Sequence, residues 1–304
     1  EVLRGHGCSP RQAAMKRRTV VAMPWMSASA VSAWPIETSA RLGSAAASAG
    51  KFSSSIHEAY EQWDAFTAWA KTVDASHASA FAATDLDSPV PTPRQIFAIG
   101  MNYAKHAAEG GFSVPEEPTI FTKFQSCITG PYADVAIPVD GKNDWETELV
   151  AVIGKTARNV KAADAFDYVA GYTMGQDISE RVTQGKGPAP QFSFAKSFEG
   201  FGPTGPVVVT LDEFADPNDI ELGCSVDGDV RQNDSSNDLV FSVPELIEYL
   251  SARLTLFPGD LIWTGTPSGV GLGRKPQVYL NVGEELVTWG KGIGEMRNKI
   301  VAAK

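Results

Sequence analysis

Short apolar runs separated by glycine, proline, aspartate and asparagine fill the chain from residue 94 onward. This pattern is typical of short strands joined by turns. The predicted strands cover residues 96–99, 221–226, 230–232 and 261–264. Asp227 and Gly228 tolerate the positive φ angles of a tight hairpin turn, and Pro244 suits the first turn of a helix over residues 243–254. The pattern therefore predicts a β-rich α+β fold with few helices.

One stretch combines a buried strand with acidic residues at its start. Residues 149–153 are apolar at every position, which predicts a strand that is buried on both faces. Glu146 and Glu148 are two residues apart, so in an extended strand both carboxylates point to the same side. Two ionised carboxylates beside a buried strand repel each other unless one is protonated or a cation lies between them. A divalent cation is the simpler explanation, and a solvated strand end is the alternative.

The N-terminal part of the chain differs in composition. Residues 1–50 are rich in alanine and serine and carry six basic residues, which predicts a low-complexity extension, an organellar transit segment or sequence upstream of the true start. Residues 55–72 have apolar residues spaced by threes and fours, which predicts an amphipathic helix. The prolines of residues 87–93 predict a stiff linker. We therefore expect a small helical segment with a linker at 51–93 and one larger domain at 94–304.

Composition and charge narrow the class of protein. With 304 residues, 43% of them hydrophobic, the chain can bury a substantial core. Its net charge of -10 argues against nucleic acid or an anionic membrane as the main partner. No apolar run approaches the ~20 residues of a membrane span. Cys8, Cys127 and Cys224 are too scattered for a disulfide framework or a zinc site, and they favour a reducing compartment such as the cytoplasm.

A third acidic residue, Asp177, is followed by Arg181 and Gln184 at the spacing of a helical turn. If Asp177 joins Glu146 and Glu148, three hard oxygen ligands favour Mg²⁺ or Mn²⁺ over zinc. The alternative for Arg181 is a local ion pair with Asp177 at i,i+4.

Three further features could carry chemistry. Lys196 lies between Phe194 and Phe198, so its charge either extends to solvent or points into a cleft. His106 and Glu109 are spaced so that the carboxylate could fix the imidazole as a general base, and a surface ion pair is the alternative. Residues 264–271 form a glycine-rich loop after a strand, with hydroxyls and backbone N-H groups that could bind a carboxylate or a phosphate.

Taken together, these residues resemble the fumarylacetoacetate hydrolase superfamily from about Arg94 to Asn298. The segments that carry the resemblance, in the order typical of the family, are residues 99–106, 145–154, 171–177, 195–198 and 258–267. The resemblance implies a mixed β-sandwich roll, the fold of the family's C-terminal domain. It also implies a homodimer that binds Mg²⁺ or Mn²⁺.

The resemblance implies a role for each candidate residue. The implied metal ligands are Glu146, Glu148 and Asp177. The implied catalytic residues are His106 and Glu109 on a mobile lid, and Lys196 beside the substrate carbonyl. The implied substrate-binding residues are Arg181, Gln184, Lys123, Tyr103 and Thr266.

The activity expected from this resemblance is a metal-dependent hydrolysis of a carbon-carbon bond in a 1,3-diketo acid of the acylpyruvate or fumarylpyruvate type. His106, held by Glu109, takes a proton from water, Lys196 supports the developing oxyanion, and the leaving carbanion is stabilised as a metal-bound enolate. Alternatives on the same site are decarboxylation of oxaloacetate and isomerisation or hydration of an unsaturated 2-oxo acid.

A noncatalytic binding or scaffolding protein is an alternative of another class. For the enzyme, we expect a small anionic 2-oxo acid as the partner, with no nucleic acid and no membrane, and a role in the catabolism of aromatic compounds.

Overall fold

The computed structural model describes residues 48, 50–52, 55–72, 82–111 and 113–304. The predicted N-terminal extension, including Cys8, lies almost wholly outside the described residues. The α-helices are α1 (Ile56–Glu61), α2 (Trp63–Ala70), α3 (Ala104–Glu109), α4 (Arg181–Gln184), α5 (Phe192–Ala195) and α6 (Val243–Ser251). Short 3₁₀ helices lie at Ala83–Asp85, Gln125–Cys127, Ala162–Tyr168, Leu211–Glu213 and Ser236–Asp238. Within this part of the chain, no helix is both long enough and apolar enough to cross a bilayer.

Two mixed sheets and a short ribbon form the β structure. The strands are β1 (Ile96–Gly100), β2 (Thr119–Thr122), β3 (Ile128–Thr129), β4 (Val135–Ile137), β5 (Asn143–Asp144), β6 (Thr147–Ile153), β7 (Val169–Gln176), β8 (Ser179–Glu180), β9 (Gly202–Val209), β10 (Glu221–Val226), β11 (Asp229–Ser235), β12 (Leu261–Trp263), β13 (Glu285–Gly290) and β14 (Gly294–Ala302). One sheet has the order β2-β1-β12-β6-β7-β9-β3, the other has the order β11-β10-β13-β14-β4, and β5 pairs with β8. The pairs β1/β12, β3/β9 and β4/β14 are parallel, whereas the remaining pairs are antiparallel. The predicted β-rich α+β class is confirmed.

The main core lies between the two sheets. Leu149 and Met174 of the larger sheet pack in one apolar cluster with Leu222 and Met296 of the smaller sheet, and α6 adds its own apolar face to this cluster. Each fully buried aliphatic side chain of this kind contributes about 1.5–3 kcal/mol. The facing sheets agree with the β-sandwich that the resemblance implied.

The opposite face of the larger sheet is covered by α1 and α2. Trp63 and Phe66 pack in a second apolar cluster with Val150 and Trp263 of the sheet, so β6 is buried on both faces as predicted. The sequence pattern predicted one helix here, but the structure has two, because Gln62 leaves the helical region with φ -121° and ψ 31°. The predicted boundary between this segment and the larger domain stays a prediction.

The predicted hairpin is present, and its strand β11 is longer than expected. Asp227 and Gly228 have φ angles of 49° and 85°, so the tight turn with positive φ angles is confirmed. Helix α6 ends at Ser251, three residues before the predicted end, and Leu254 still packs against the core from the turn that follows. A periodic apolar pattern thus marked the buried face, but it did not mark where the helical hydrogen bonds stop.

Candidate active site

Three acidic side chains converge where β6 begins and β7 ends. Thr147 pairs with Gln176 across these strands, so Glu146 and Asp177 lie opposite each other, and the Asp177 N-H donates to the Glu146 carbonyl at 2.8 Å. One carboxylate oxygen each from Glu146, Asp177 and Glu148 lies within 4.8 Å of the other two. All three residues are buried. The alternative of a solvated strand end is therefore wrong.

The carboxylates of Glu146 and Glu148 have different electrostatic surroundings. Burial alone would raise the pKa of Glu146, but the charges of Lys196 and Arg181 outweigh it and lower that pKa to about 2. Glu148 accepts a hydrogen bond from the Gly265 N-H at 2.9 Å. Its pKa is raised well above the usual range by burial and by the neighbouring carboxylates, whose effect exceeds that of Lys196. Glu148 is therefore the carboxylate of the cluster that most lacks a compensating cation.

Two buried lysines contact the carboxylate cluster. The Lys196 Nζ donates to Glu146 Oε2 at 2.6 Å and to Asp177 Oδ2 at 2.8 Å, so this side chain points inward and the solvent-directed alternative is wrong. The Lys123 Nζ donates to Asp177 Oδ1 at 2.6 Å, to the Phe201 carbonyl at 3.2 Å and to the Lys196 carbonyl. These contacts use all three Lys123 protons. Its predicted substrate contact stays a prediction, and the geometry favours a role in holding Asp177.

Arg181 joins the cluster to a fourth buried acid. Its Nε and Nη2 donate to Asp144 Oδ2 at 2.9 and 2.8 Å, and Nη2 also donates to Glu146 Oε1 at 2.7 Å. Its Nη1 donates to Gln184 Oε1 at 2.9 Å, which brings together two of the predicted substrate-binding residues. The alternative of a helical ion pair with Asp177 is wrong, because α4 begins only at Arg181.

Asp144 is a functional candidate that the sequence did not reveal. Its Oδ1 accepts from the N-H of Gly271 at 2.6 Å and from the N-H of Trp145 at 2.9 Å, while Oδ2 accepts from the N-H of Leu272 at 2.9 Å in addition to Arg181. Asp144 is fully buried. Its position beside the acidic strand was a signal, but two of its partners lie more than a hundred residues away in the chain.

The glycine-rich loop, residues 264–271, binds carboxylates of the protein itself. The Gly265 N-H binds Glu148, as described above, and the Gly269 N-H donates to the two oxygens of Glu109 at 3.2 and 3.1 Å. Binding of a ligand carboxylate or phosphate by this loop stays a prediction, because these two N-H groups bind side chains of the protein itself. They are therefore not free for a substrate.

The predicted dyad lies on α3 next to this loop. His106 Nδ1 lies 3.4 Å from Glu109 Oε2, and the two side chains are 20% and 23% exposed. The Glu109 carboxylate also accepts from the Gly269 N-H, so α3 contacts the glycine-rich loop. The catalytic role of the pair stays a prediction, and Glu109 as a whole residue is exposed.

Tyr103 and Thr266 are both buried. The Tyr103 hydroxyl has no hydrogen-bond partner among the described residues, and its pKa is raised by burial and by Glu148. The Thr266 Oγ1 accepts a hydrogen bond from Gln232 at 2.7 Å. Gln232 was not singled out in the sequence, because a single buried glutamine on a strand gives no pattern.

The donor set fits a hard divalent cation. Three buried carboxylates each offer an oxygen within reach of one point, and among the residues that the structure describes, Glu148 has no cationic partner at ion-pair distance. Four carboxylates in the site face three cationic side chains, which are Asp144, Glu146, Glu148 and Asp177 against Lys123, Lys196 and Arg181. Oxygen donors of this kind suit Mg²⁺ or Mn²⁺.

Comparisons with known proteins agree with this geometry. A family model described as fumarylacetoacetate (FAA) hydrolase, C-terminal, matches residues 95–301. The oxaloacetate tautomerase FAHD2A, mitochondrial, of Bos taurus is 44% identical over 215 residues, which cover 70% of this chain and 68% of the relative. The cytoplasmic location expected for this chain stays a prediction.

Solved structures show the same fold. A putative HpcE protein from Mycobacterium smegmatis superposes with a TM-score of 0.82 at 49% identity, covering 86% of this chain and 92% of its own. Fumarylpyruvate hydrolase from Pseudomonas aeruginosa, solved in complex with Mn²⁺ and pyruvate, superposes with a TM-score of 0.62 at 31% identity, covering 69% of this chain and 91% of its own.

Proposed function

Because the chain belongs to the fumarylacetoacetate hydrolase family, we propose that it is a divalent-metal-dependent enzyme that acts on a small 2-oxo acid. The observation that carries the proposal is the buried cluster of Glu146, Glu148 and Asp177 with Lys196 against it. A bound Mg²⁺ or Mn²⁺ would supply a Lewis acid that stabilises negative charge on the keto oxygen of the substrate. The residues that would hold it are the three carboxylates.

The first candidate reaction is the interconversion of the enol and keto forms of oxaloacetate. It is supported by the name of the bovine relative, which is 44% identical. The reaction removes a proton from the enol hydroxyl and adds one to the neighbouring carbon, so it needs a group that can accept the first proton and then donate a proton to the carbon. No carbon-carbon bond breaks.

We assign the proton transfers to His106 and the stabilisation of the negative charge on the substrate to Lys196. Since Glu109 is an acceptor only, its contact with His106 Nδ1 holds the hydrogen on that nitrogen and leaves Nε2 to exchange a proton. The Lys196 ammonium, buried against two carboxylates, supports negative charge on the substrate oxygen.

The second candidate is hydrolysis of a carbon-carbon bond in an acylpyruvate. The His106-Glu109 dyad favours it, because an imidazole oriented by a carboxylate can also take a proton from water. The Pseudomonas relative named as fumarylpyruvate hydrolase supports the same chemistry. The homodimer and the role in aromatic catabolism implied by the resemblance stay predictions.

A panel assay separates the candidates. The full chain with Mg²⁺ or Mn²⁺ is given the enol form of oxaloacetate, acetylpyruvate or fumarylpyruvate, and each reaction is followed by absorbance with pyruvate measured at the end. We expect accelerated loss of the oxaloacetate enol without pyruvate, abolished by EDTA and restored by metal. Replacing His106 with Ala should slow it by about 10²–10⁴-fold, the usual contribution of a general acid or base.

The matched control is His57→Ala, because His57 lies on α1 and contacts Glu61 and Arg94 outside the site. This variant should keep the wild-type rate. If the protein cleaves an acylpyruvate faster than it converts the oxaloacetate enol to the keto form, the second candidate is favoured. Pyruvate formed from oxaloacetate would identify a decarboxylase and refute the first candidate.

A further inference from the structure

Gln232 of β11 links the start of β6, between Glu146 and Glu148, to the glycine-rich loop. Its Oε1 accepts from the Thr147 N-H at 2.9 Å, and its Nε2 donates to Thr266 Oγ1 and to the Pro267 carbonyl, both at 2.7 Å. A backbone N-H can only donate and a carbonyl can only accept, so these contacts allow one orientation of the amide. Both amide protons are used. Gln232 is 1% exposed, which shields this arrangement from water.

The fixed amide determines how the Thr266 hydroxyl can bond. A hydroxyl has one proton to donate, and its oxygen here already accepts from Gln232. The proton therefore points away from Gln232, and within the described part of the chain it is donated to no protein acceptor. Thr266 directly follows Gly265, whose N-H donates to Glu148 at 2.9 Å, so Thr266 belongs to the stretch of loop that contacts the carboxylate cluster.

We propose that Gln232 is a positioning residue that makes Thr266 a committed hydrogen-bond donor to the carboxylate of the 2-oxo acid. The inference rests on the proposed function, which places such a carboxylate in this site. A free threonine hydroxyl could either donate or accept. Held by Gln232, it presents a proton, which favours an ionised carboxylate group over a group that must itself donate.

A structural role is the competing explanation, because Gln232 also contacts the backbone between the two glutamates. The two roles differ in what they affect. If Gln232 acts through Thr266, its loss weakens binding of the carboxylate and leaves metal binding unchanged. If it holds the strand, its loss weakens metal binding as well, since Glu146 and Glu148 flank Thr147.

A double-mutant cycle on the full chain tests this inference, with oxalate as the probe for the 2-oxo acid. The variants are Gln232→Met, which keeps the length of the side chain, Thr266→Val, which keeps its shape, and the two combined. Calorimetry gives the Kd for Mn²⁺ and the Kd for oxalate at saturating Mn²⁺, and oxaloacetate kinetics give kcat and KM. We expect each single variant to raise the oxalate Kd about 10–150-fold, the usual effect of one lost hydrogen bond to a charged group.

The double variant should bind oxalate no more than about 2-fold more weakly than Thr266→Val, since coupled residues are not additive. KM should rise with the oxalate Kd, the Mn²⁺ Kd should stay constant, and Thr266→Ser should retain binding because it keeps the hydroxyl. Additive losses, or a loss of Mn²⁺ affinity in Gln232→Met, would overturn the inference.

If Gln232→Met does not fold, Gln232→Glu provides the same test. It keeps the acceptor for Thr147 and, when ionised, cannot donate to Thr266, so an unchanged oxalate Kd at about pH 8 would overturn the inference. Failure of the proposed function is seen separately. A wild-type chain that binds no oxalate in the presence of Mn²⁺ refutes the function before Gln232 is considered.

Discussion

Glu148→Gln should affect stability in opposite directions without and with metal. Glu148 is buried among carboxylates, and its pKa is raised well above the usual range by burial, Asp177 and Glu146. A raised pKa means that the ionised form opposes folding, and this cost is present at neutral pH, above the ordinary carboxyl pKa. Glutamine keeps an oxygen for the Gly265 N-H. Without metal, the free energy of unfolding of Glu148→Gln should therefore equal that of the wild type or exceed it by up to about 3 kcal/mol.

Metal should favour the wild type. At a free Mn²⁺ concentration of about 100 times the wild-type Kd, binding stabilises the wild type by about 2.7 kcal/mol. If loss of one of the three carboxylate ligands weakens binding tenfold or more, the gain of the variant is at most about 1.4 kcal/mol at the same concentration. For a chain of this size, 1 kcal/mol corresponds to roughly 2 °C in the melting temperature. Mn²⁺ should therefore raise the melting temperature of the wild type by about 5 °C and that of Glu148→Gln by less than about 3 °C.

Thermal unfolding followed by circular dichroism, in EDTA and in MnCl₂, measures both effects. The control is Glu116→Gln, because Glu116 is exposed and outside the carboxylate cluster. It should stay within about 0.5 kcal/mol of the wild type and keep the full gain from metal. Equal gains in the wild type and Glu148→Gln would refute the assignment of Glu148 as a metal ligand. If Glu148→Gln were less stable than the wild type in EDTA, the electrostatic reasoning would be refuted.

Two further substitutions test the polar contacts around the site by urea unfolding. Burial raises the pKa of Asp144, but both of its oxygens accept from buried donors, so the amide group of Asp144→Asn would turn N-H groups toward N-H groups and lower the unfolding free energy by about 3–5 kcal/mol. Asp140→Asn on the surface should change it by less than about 0.5 kcal/mol, and equal effects would refute the role of Asp144. The Glu180 carboxylate caps α4, and the hydrogen bonds that it accepts outweigh the effect of burial and lower its pKa. The ionised carboxylate therefore stabilises the fold above the ordinary carboxyl pKa, and this stabilisation is lost as the pH falls through the lowered pKa. Glu180→Gln should therefore cost about 0.5–2 kcal/mol at neutral pH and progressively less in acid, and a gap that does not change with pH would contradict this.

Local patterns predicted the acidic strand, but not the arrangement around it. The i,i+2 spacing of Glu146 and Glu148 and the apolar residues after them depend only on strand geometry, and the structure agrees. Asp177 reaches them because β6 and β7 pair in one register, which the sequence pattern alone does not specify. It was the family resemblance that placed Asp177 with the two glutamates.

The polar contacts between distant segments could not be predicted. Asp144 accepts from the Gly271 N-H, 127 residues further along the chain, and Gln232 reaches Thr266 over 34 residues. Hydrophobic periodicity identifies which face of a strand is buried, but it contains no information on which buried polar side chain meets which loop. These two residues became visible only when the fold brought the loop against β5 and β11.

Close packing of the loop backbone against neighbouring segments explains why glycines occur in this loop. A Cβ on Gly271 would lie 1.8 Å from the Val278 carbonyl oxygen, and one on Gly269 would lie 2.3 Å from the Arg231 carbonyl oxygen. Gly269 also has a φ of 105°, a backbone conformation that residues with a side chain rarely adopt. The glycines therefore allow the loop backbone to approach its neighbours closely enough for its N-H groups to bind carboxylates.

This close approach joins separate parts of the site through one short segment. Glu148 of the carboxylate cluster and Glu109 of the dyad both accept hydrogen bonds from N-H groups of the glycine-rich loop, and Gln232 binds the Thr266 hydroxyl within it. These three side chains therefore contact the same short stretch of backbone. The loop thus fixes the positions of a proposed metal ligand, a proposed proton-transfer dyad and a proposed substrate-binding hydroxyl relative to one another, which is the arrangement that chemistry on a small 2-oxo acid requires.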